Sequence, residues 1–351
     1  MIKTRILTIA GTRPEFIRLS EIIKILDKSC QHFFLNTMQN IQDNLNKDIL
    51  NDLGISSSAE MWSESDKVSF YHSDYLSRCM DFVESSIKGV SPNKILILGD
   101  TNSALASAII ASKMRIPIYH MEAGNRCWSD NSPEETNRKI IDSISNIHMP
   151  YTELAKANLI KEGKNAKDIF VIGNPMNELL NIYKQEPIKC DILVTIHRSE
   201  NIDDAFRLAD IIADLSFVAE NNDILIMAHP RFIKAIDNYK LPSNVIIKPA
   251  TTFTEFIKYE QGANIILTDS GTVQEEAAIL GKRCIIMRNE SERLETFKNA
   301  GTMFYKVGEL DKQVNYLKRD INENNIQLPN ISDYNDIKDT SRMVCNILLS
   351  K

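Results

Sequence analysis

Glu122 and Glu134 stand in two short segments crowded with groups that move protons. Ile116-Pro117-Ile118-Tyr119-His120-Met121-Glu122-Ala123-Gly124-Asn125-Arg126 runs an apolar strand into an acid, and Pro133-Glu134-Glu135-Thr136-Asn137-Arg138 opens a helix soon after. Carboxylates at strand ends and helix starts face the crevice of an open α/β sheet, where they can serve as general acids and bases. Asp100, in Leu98-Gly99-Asp100-Thr101-Asn102-Ser103, occupies the same kind of junction. Alone it reads as an N-cap. Beside the two glutamates it completes a trio whose mutual repulsion raises a pKa toward neutrality and makes an acid/base pair. Ser132 and Glu135 fit a capping box, which leaves Glu134 free for function, with Arg138 one turn on and able to pair with it.

The cationic and phosphate-binding groups lie at similar junctions. Gly11-Thr12-Arg13-Pro14-Glu15 follows the first apolar run, and Thr12 with Glu15 fits a capping box. A helix start attracts anions through its free N–H groups, and Arg13 and Arg18 add donors suited to phosphate. Ile196-His197-Arg198-Ser199-Glu200-Asn201 and His229-Pro230-Arg231 each place a histidine beside an arginine at a strand end. A lone histidine there is usually structural; two such pairs point to a ligand. Thr268-Asp269-Ser270-Gly271-Thr272-Val273-Gln274-Glu275-Glu276 reads as strand, turn and helix. Its N–H groups suit a phosphate, and Glu275 or Glu276 can take both hydroxyls of a ribose.

The elements that carry these residues alternate in the manner of βα units around parallel sheets. Strands are predicted near 5–10, 32–37, 94–98, 116–121, 147–150 and 169–172, with helices near 13–28, 40–53, 69–88, 101–113, 133–145 and 152–162. The pattern restarts with strands near 191–196, 223–228, 244–248, 264–268 and 283–287. Helices near 202–220, 231–238, 253–260, 271–280 and 309–325 fall between those, and a last one near 336–350. The stretch from Gly173-Asn174-Pro175 through Pro187 marks a boundary. The expected organisation is a doubly wound domain over 1–172, a second over 173–332, and a segment 333–351 packing back on the first. A ligand is expected between the two, outside the strands' carboxyl ends.

Composition narrows the function. A chain of 351 residues suits two domains of ordinary size. The net charge of −6 argues against nucleic acid, which requires a basic face. No apolar run approaches a membrane span, and the N-terminal Arg5–Ala10 run reads as a strand, not as a secretory signal. Cysteines 30, 79, 127, 190, 284 and 345 lack metal or redox spacing and fit a reducing cytoplasm. No GxGxxG, GxxxxGK[ST] or metal-spaced set occurs, so no nicotinamide cofactor, nucleotide hydrolysis or metal is expected.

Taken in order, GTRPE, LGDTNS, HMEAGNR, PEETNR, TIHRSEN, HPR and TDSGTVQEEA resemble the UDP-N-acetylglucosamine 2-epimerase family, over residues 5 to about 308. The resemblance implies a GT-B-like α/β fold of two Rossmann-like domains with a nucleotide-sugar in the cleft between them. It also implies a cytoplasmic homodimer making bacterial surface-polysaccharide precursors without a cofactor. It implies that Asp100, Glu122 and Glu134 are the acid/base carboxylates, and that His197 joins them at the phosphate. Arg13 and Arg18 then meet the diphosphate region, Ser270 and Gly271 hold phosphate, and Glu276 takes the ribose. Gln39 and Arg138 lie near the sugar, and His229 and Arg293 complete the pocket. The C2 hydrogen of an N-acetyl sugar is not acidic. Elimination of UDP to a glycal, then re-addition with a proton on the opposite face, inverts C2 using one base, one acid and a cationic clamp.

Asn125 stands where the glucosamine enzymes of the family carry Leu. With the ETNRKIID run, it resembles a branch acting on UDP-2-acetamido-2,6-dideoxy-L-talose to give UDP-N-acetyl-L-fucosamine. The family's ERPE segment reads Glu292-Arg293-Leu294-Glu295 here, its GQ[HN] segment reads Met38-Gln39-Asn40, and residues 56–72 lack a Gly/Gln turn. Three other readings use the same residues. A hydrolysing relative would release UDP and free N-acetylmannosamine. A GT-B glycosyltransferase would keep the phosphate groups without a carboxylate trio, and a nucleotide-sugar-binding regulator would have a broken trio.

Overall fold

The computed structural model describes residues 4–40, 46–61, 72–129, 132–293, 296–297, 301–323 and 339–350. Outside them fall residues 41–45 of the predicted helix near 40–53, residues 62–71 of the segment lacking a turn, and Leu294 and Glu295 of the altered ERPE segment. The chain forms two compact units, Met1–Leu179 with Asp336–Lys351, and Leu180–Asn335.

In the first unit β1 (Arg5–Ala10), β2 (Gln31–Asn36), β3 (Ala59–Glu60), β4 (Lys94–Leu98), β5 (Ile118–Met121) and β6 (Ile147–Met149) alternate with helices. These are α1 (Arg13–Ser29), α2 (Lys47–Leu53), α3 (His72–Val90), α4 (Asn102–Lys113), α5 (Pro133–Ile144), α6 (Glu153–Lys161) and α7 (Pro175–Ile182). The strands lie in the order β3-β2-β1-β4-β5-β6, all parallel. This is the Rossmann order, and its direction reverses between β1 and β4, where ligands of such sheets bind. Leu7, Ile9, Ile95, Ile97 and Ile118 pack on Cys79, Val83 and Ala108 to form the core under that point. Each fully buried aliphatic side chain contributes about 1.5–3 kcal/mol.

The second unit repeats the plan. It comprises β7 (Cys190–Thr195), α8 (Ser199–Ile202), α9 (Ala205–Ala219), β8 (Ile224–Ala228), α10 (Pro230–Ala235), β9 (Val245–Pro249) and α11 (Phe253–Gly262), followed by β10 (Ala263–Thr268), α12 (Gly271–Ile279), β11 (Arg283–Ile286), β12 (Thr302–Phe304) and α13 (Leu310–Glu323). The order β12-β11-β10-β7-β8-β9 is again parallel, with its reversal between β7 and β10. Two Rossmann-like doubly wound units make the GT-B-like α/β class expected above.

The last helix, α14 (Thr340–Leu349), belongs to the first unit. Val344 and Leu348 are buried, Cys345 Sγ lies 3.8 Å from Ile22 O of α1, and Lys94 Nζ donates to Leu348 O (2.7 Å) and Ser350 O (2.6 Å). The division between units falls inside α7, within the stretch from Gly173 to Pro187, and Ser341 N donates to Glu178 Oε2 (2.9 Å), which ties α7 to α14. The predicted strand at 169–172 is not one. Ile169 makes a single bridge to His148, and the segment runs no ladder. The helix predicted at 202–220 is two, α8 and α9, with the Asp204 carboxylate capping α9 at Phe206 N and Arg207 N.

Candidate functional site

In the first unit the ends of β1, β4 and β5 lie side by side, and the predicted acids gather there unevenly. Thr101, not Asp100, caps α4, accepting from Ala104 N, so the bland reading of Asp100 fails. Asp100 faces Arg138 instead, whose Nη2 and Nε lie 2.5 and 3.0 Å from Asp100 Oδ2. Glu122 is buried with φ +65°, a left-handed conformation that non-glycine residues rarely adopt. Its Oε2 is 4.0 Å from Arg18 Nε on α1, and its Oε1 accepts from Asn125 Nδ2 at 3.4 Å. Asp100 and Glu122 therefore both face guanidinium groups, and the expected crowding of like charges gives way to alternating charge.

Glu134 is exposed and accepts from Ser132 Oγ at 3.1 Å. Its neighbour Glu135 is the buried one, and it is no capping-box partner. Glu135 turns back to accept from Cys127 N (3.1 Å) and Trp128 N (3.3 Å), and it binds Arg138 Nη1 (2.7 Å). Arg138 thus pairs with Asp100 and Glu135, where a pairing with Glu134 was expected. Glu135 is held below the ordinary carboxylate range: burial opposes the charge, but the Cys127 N–H and the Arg138 guanidinium outweigh it.

A carboxyl with a strongly raised pKa is Glu15, which sequence reasoning treats only as a cap. Burial pushes it up to about 7, against bonds from Gly11 N, Thr12 and Thr101. Its Oε2 accepts from Gly11 N (3.0 Å), Thr12 N (2.9 Å) and Thr12 Oγ1 (2.8 Å), and its Oε1 accepts from Thr101 Oγ1 (2.9 Å). Arg13 N donates to Asn40 Oδ1 (3.0 Å). The first N–H groups of α1 are therefore satisfied within the protein, not presented to an anion as the sequence suggested. Gln39 Oε1 accepts from Ser103 N at 3.0 Å, which brings Gln39 to the start of α4 beside Asp100.

The second unit gathers its residues at the ends of β7 and β10. Asp269 is fully buried and accepts from His197 N, Arg198 N (2.9 Å) and Asn201 Nδ2 (3.0 Å), while His197 Nδ1 lies 2.8 Å from its Oδ1. Burial raises this carboxyl, but the His197 contacts and the Arg198 N–H bring it below its ordinary range. With Nδ1 engaged, Nε2 is the nitrogen of the half-exposed His197 ring left to meet a ligand. Ser270 caps α12 through Val273 N, and a Cβ on Gly271 would meet Glu292 Oε1 at 2.6 Å.

His229 caps α10, its Nδ1 accepting from Arg231 N at 3.2 Å, so a structural task is one part of its role. Burial, and then the charges of His197 and Arg231, lower its pKa. Of the two candidate ribose acids, Glu275 pairs with Arg293 Nε at 2.8 Å, both side chains buried, while Glu276 lies buried in the next position of α12. Arg293 therefore braces α12. Sequence reasoning gives Asp269 no task, although its position before the Ser-Gly turn is an available signal. Among the described residues no group of three or more His, Cys, Asp or Glu side chains could hold a metal ion, and no helix is long and apolar enough to cross a membrane.

Residues 24–348 match the family model described as UDP-N-acetylglucosamine 2-epimerase. The chain is 35% identical over 312 residues to a UDP-N-acetylglucosamine 2-epimerase of Methanocaldococcus jannaschii, covering 82% of this chain and 84% of the relative. It is 34% identical over 304 residues to a UDP-2,3-diacetamido-2,3-dideoxy-D-glucuronate 2-epimerase of Pseudomonas aeruginosa, covering 83% and 85%. The crystal structure of the M. jannaschii UDP-GlcNAc 2-epimerase in complex with UDP-GlcNAc and UDP is similar with a TM-score of 0.84 and 30% identity, over 99% of this chain and all of that one.

Proposed function

The chain belongs to the UDP-N-acetylglucosamine 2-epimerase family, and from that premise we propose that it inverts C2 of a UDP-linked N-acetyl hexose by elimination and re-addition of UDP. The family makes it an isomerase acting on UDP-sugars. The observation that carries the finer reading is the pairing of a buried and a half-buried carboxylate with guanidinium groups at the ends of β5 and β4. Glu122 beside Arg18 and Asp100 beside Arg138 supply one base and one acid, held by different strands. Glu134, exposed at the start of α5, is a third group in this reading, reaching the sugar from the helix.

UDP is the leaving group and later the nucleophile, so it must be held between the two half-reactions. In this reading His197, oriented by Asp269, donates from Nε2 to phosphate, and the Ser270–Gly271 turn offers the N–H groups of α12. Glu276 takes the ribose and Arg13, Gln39, His229 and Arg293 line the remainder. Retention of UDP distinguishes this chemistry from hydrolysis. The sugar is either UDP-N-acetylglucosamine or, through Asn125, the 6-deoxy-L-talose relative, as a precursor for surface polysaccharide. The Asn125 amide on Glu122 Oε1 is the feature that supports the second choice.

Proton NMR of the enzyme with each UDP-sugar in D2O tests this. Deuterium should enter C2 with UDP still attached, and only the true substrate should react. Accumulation of UDP beside free sugar would replace this proposal with hydrolysing epimerisation. No exchange with either sugar would overturn it.

A further inference from the structure

His120 and Asp142 are wholly buried in the first unit, between the two strand ends that carry Asp100 and Glu122. His120 Nδ1 lies 2.8 Å from Asp142 Oδ1, and its Nε2 lies 2.8 Å from Gly99 O. The ring therefore spans the Asp142 carboxylate of α5 on one side and the backbone carbonyl that precedes Asp100 on the other. The second oxygen of Asp142 accepts from Gly124 N (3.0 Å) and meets Arg126 Nη2 (2.8 Å). Glu162 engages the same guanidinium through two bonds, and His148 Nε2 lies 2.9 Å from Asp142 O. The Arg126 guanidinium thus faces two carboxylates, and the His120 ring and the Gly124 N–H also contact Asp142, which makes a buried charge cluster tolerable.

What this cluster holds is the backbone on either side of the proposed acid and base. Gly99, whose carbonyl meets His120, has φ +72° and precedes Asp100. Gly124, whose N–H meets Asp142, has φ +82° and lies two positions beyond Glu122, itself at φ +65°. A non-glycine residue stays in that region only where its surroundings over-determine it. Gly124 has no room to relax, since a Cβ there would meet Ala155 O at 2.2 Å.

We propose that the His120–Asp142 pair is the positioning device of the reaction: through one imidazole ring, a single buried carboxylate sets the Asp100 loop and the Glu122 loop relative to each other. The assignment rests on the epimerase reading above. Neither residue touches the reacting atoms; both act through the two backbone segments. The chemistry needs acid and base on opposite faces of one ring, and a displacement of about 1 Å costs on the order of a hundredfold in rate.

The test uses His120→Gln and Asp142→Asn in the full chain, each assayed for kcat, KM and UDP affinity, with the wild type as reference. The expected result is a kcat lower by about a hundredfold with UDP affinity changed by less than about threefold, because His197, Ser270 and Glu276, assigned to phosphate and ribose, lie in the second unit. Loss of UDP affinity in step with kcat, or an unchanged kcat, would overturn the proposal. If the variants fail to fold, amide hydrogen exchange at Gly124 of the wild type decides. Strong protection of that amide supports the proposal, and exchange as fast as in an open loop overturns it. Wild-type enzyme that exchanges no C2 hydrogen would instead sink the epimerase reading, so the two failures are separable.

Discussion

At the residue scale, the carboxylates of the first unit divide by what they touch. Glu122 bonds two side chains that point to its charge, Arg18 and Asn125, and has no capping duty. Glu122→Gln keeps the shape and removes the proton acceptor. Turnover should fall by at least about a thousandfold while UDP affinity, measured by calorimetry, stays nearly constant. Loss of UDP binding would remove Glu122 from the chemistry. Glu15 makes a different prediction, through its pKa of about 7 against an ordinary 4.5. A folded-state pKa raised in this way gives stability that is complete below pH 4.5 and is lost as pH rises through 7. The loss amounts to roughly 3 kcal/mol across that window. Glu15→Gln mimics the protonated form, so its stability should lack that decline. Burial lowers the pKa of His32 and His148, which adds stability as pH rises through 6.5, so the difference between variant and wild type is the quantity to measure by thermal melts from pH 4 to 8. A constant difference would show that Glu15 is not the titrating group.

At the scale of elements, the turn from β1 into α1 is the tightest joint near the site. A Cβ on Gly11 would meet Thr37 Oγ1 at 2.1 Å and Gln39 N at 3.1 Å. Thr37 cannot easily give way, because its hydroxyl contacts Ser103 Oγ (2.7 Å) and Tyr75 OH (3.1 Å). Gly11→Ala should cost about 1–3 kcal/mol, read as a lower denaturant midpoint, and should weaken catalysis through Gln39. This joint also shows what a sequence discloses. Strands such as Arg5–Ala10 and helices such as α1 announce themselves by apolar spacing and capping residues. β3 and β12 do not, being two and three residues long with no apolar run of their own, and they exist because a neighbouring edge offers them a ladder. The apolar run at 169–172 shows the reverse: it reaches the edge of β6 through Phe170 N to His148 O and Ile172 N to Pro150 O, yet forms only one bridge. The site divides in the same way. Asp100, Glu122 and His197 were legible from strand-end positions, whereas the partners Asp100–Arg138 and His120–Asp142 lie 38 and 22 residues apart and meet only through the fold. The exchange of burial between Glu134 and Glu135 was hidden because one turn of helix decides it.

At the scale of the whole molecule, the first unit is closed by a segment that follows the second in sequence. Lys94, on β4, holds α14 by bonding the carbonyls of Leu348 and Ser350. A lysine at a helix C-terminus meets both the unpaired carbonyls and the negative end of the dipole. Lys94→Met should therefore loosen α14 by about 1–2 kcal/mol. Limited proteolysis should then cut within residues 339–350 sooner, while UDP affinity, assigned to the second unit, stays unchanged. Equal cleavage rates would assign the docking of α14 to its apolar face alone.

The return of α14 also sets a timetable for synthesis. Ribosomes add about 5–20 residues per second, so α1 waits roughly ten to thirty seconds after Leu179 emerges before its helical partner is made. Throughout that interval the groove around Ile22 lies open while the Leu180–Asn335 unit can already fold. The nascent chain is therefore most exposed to chaperones and proteases on its earliest-made part, and the last ten residues of helix act as a latch that ends the exposure.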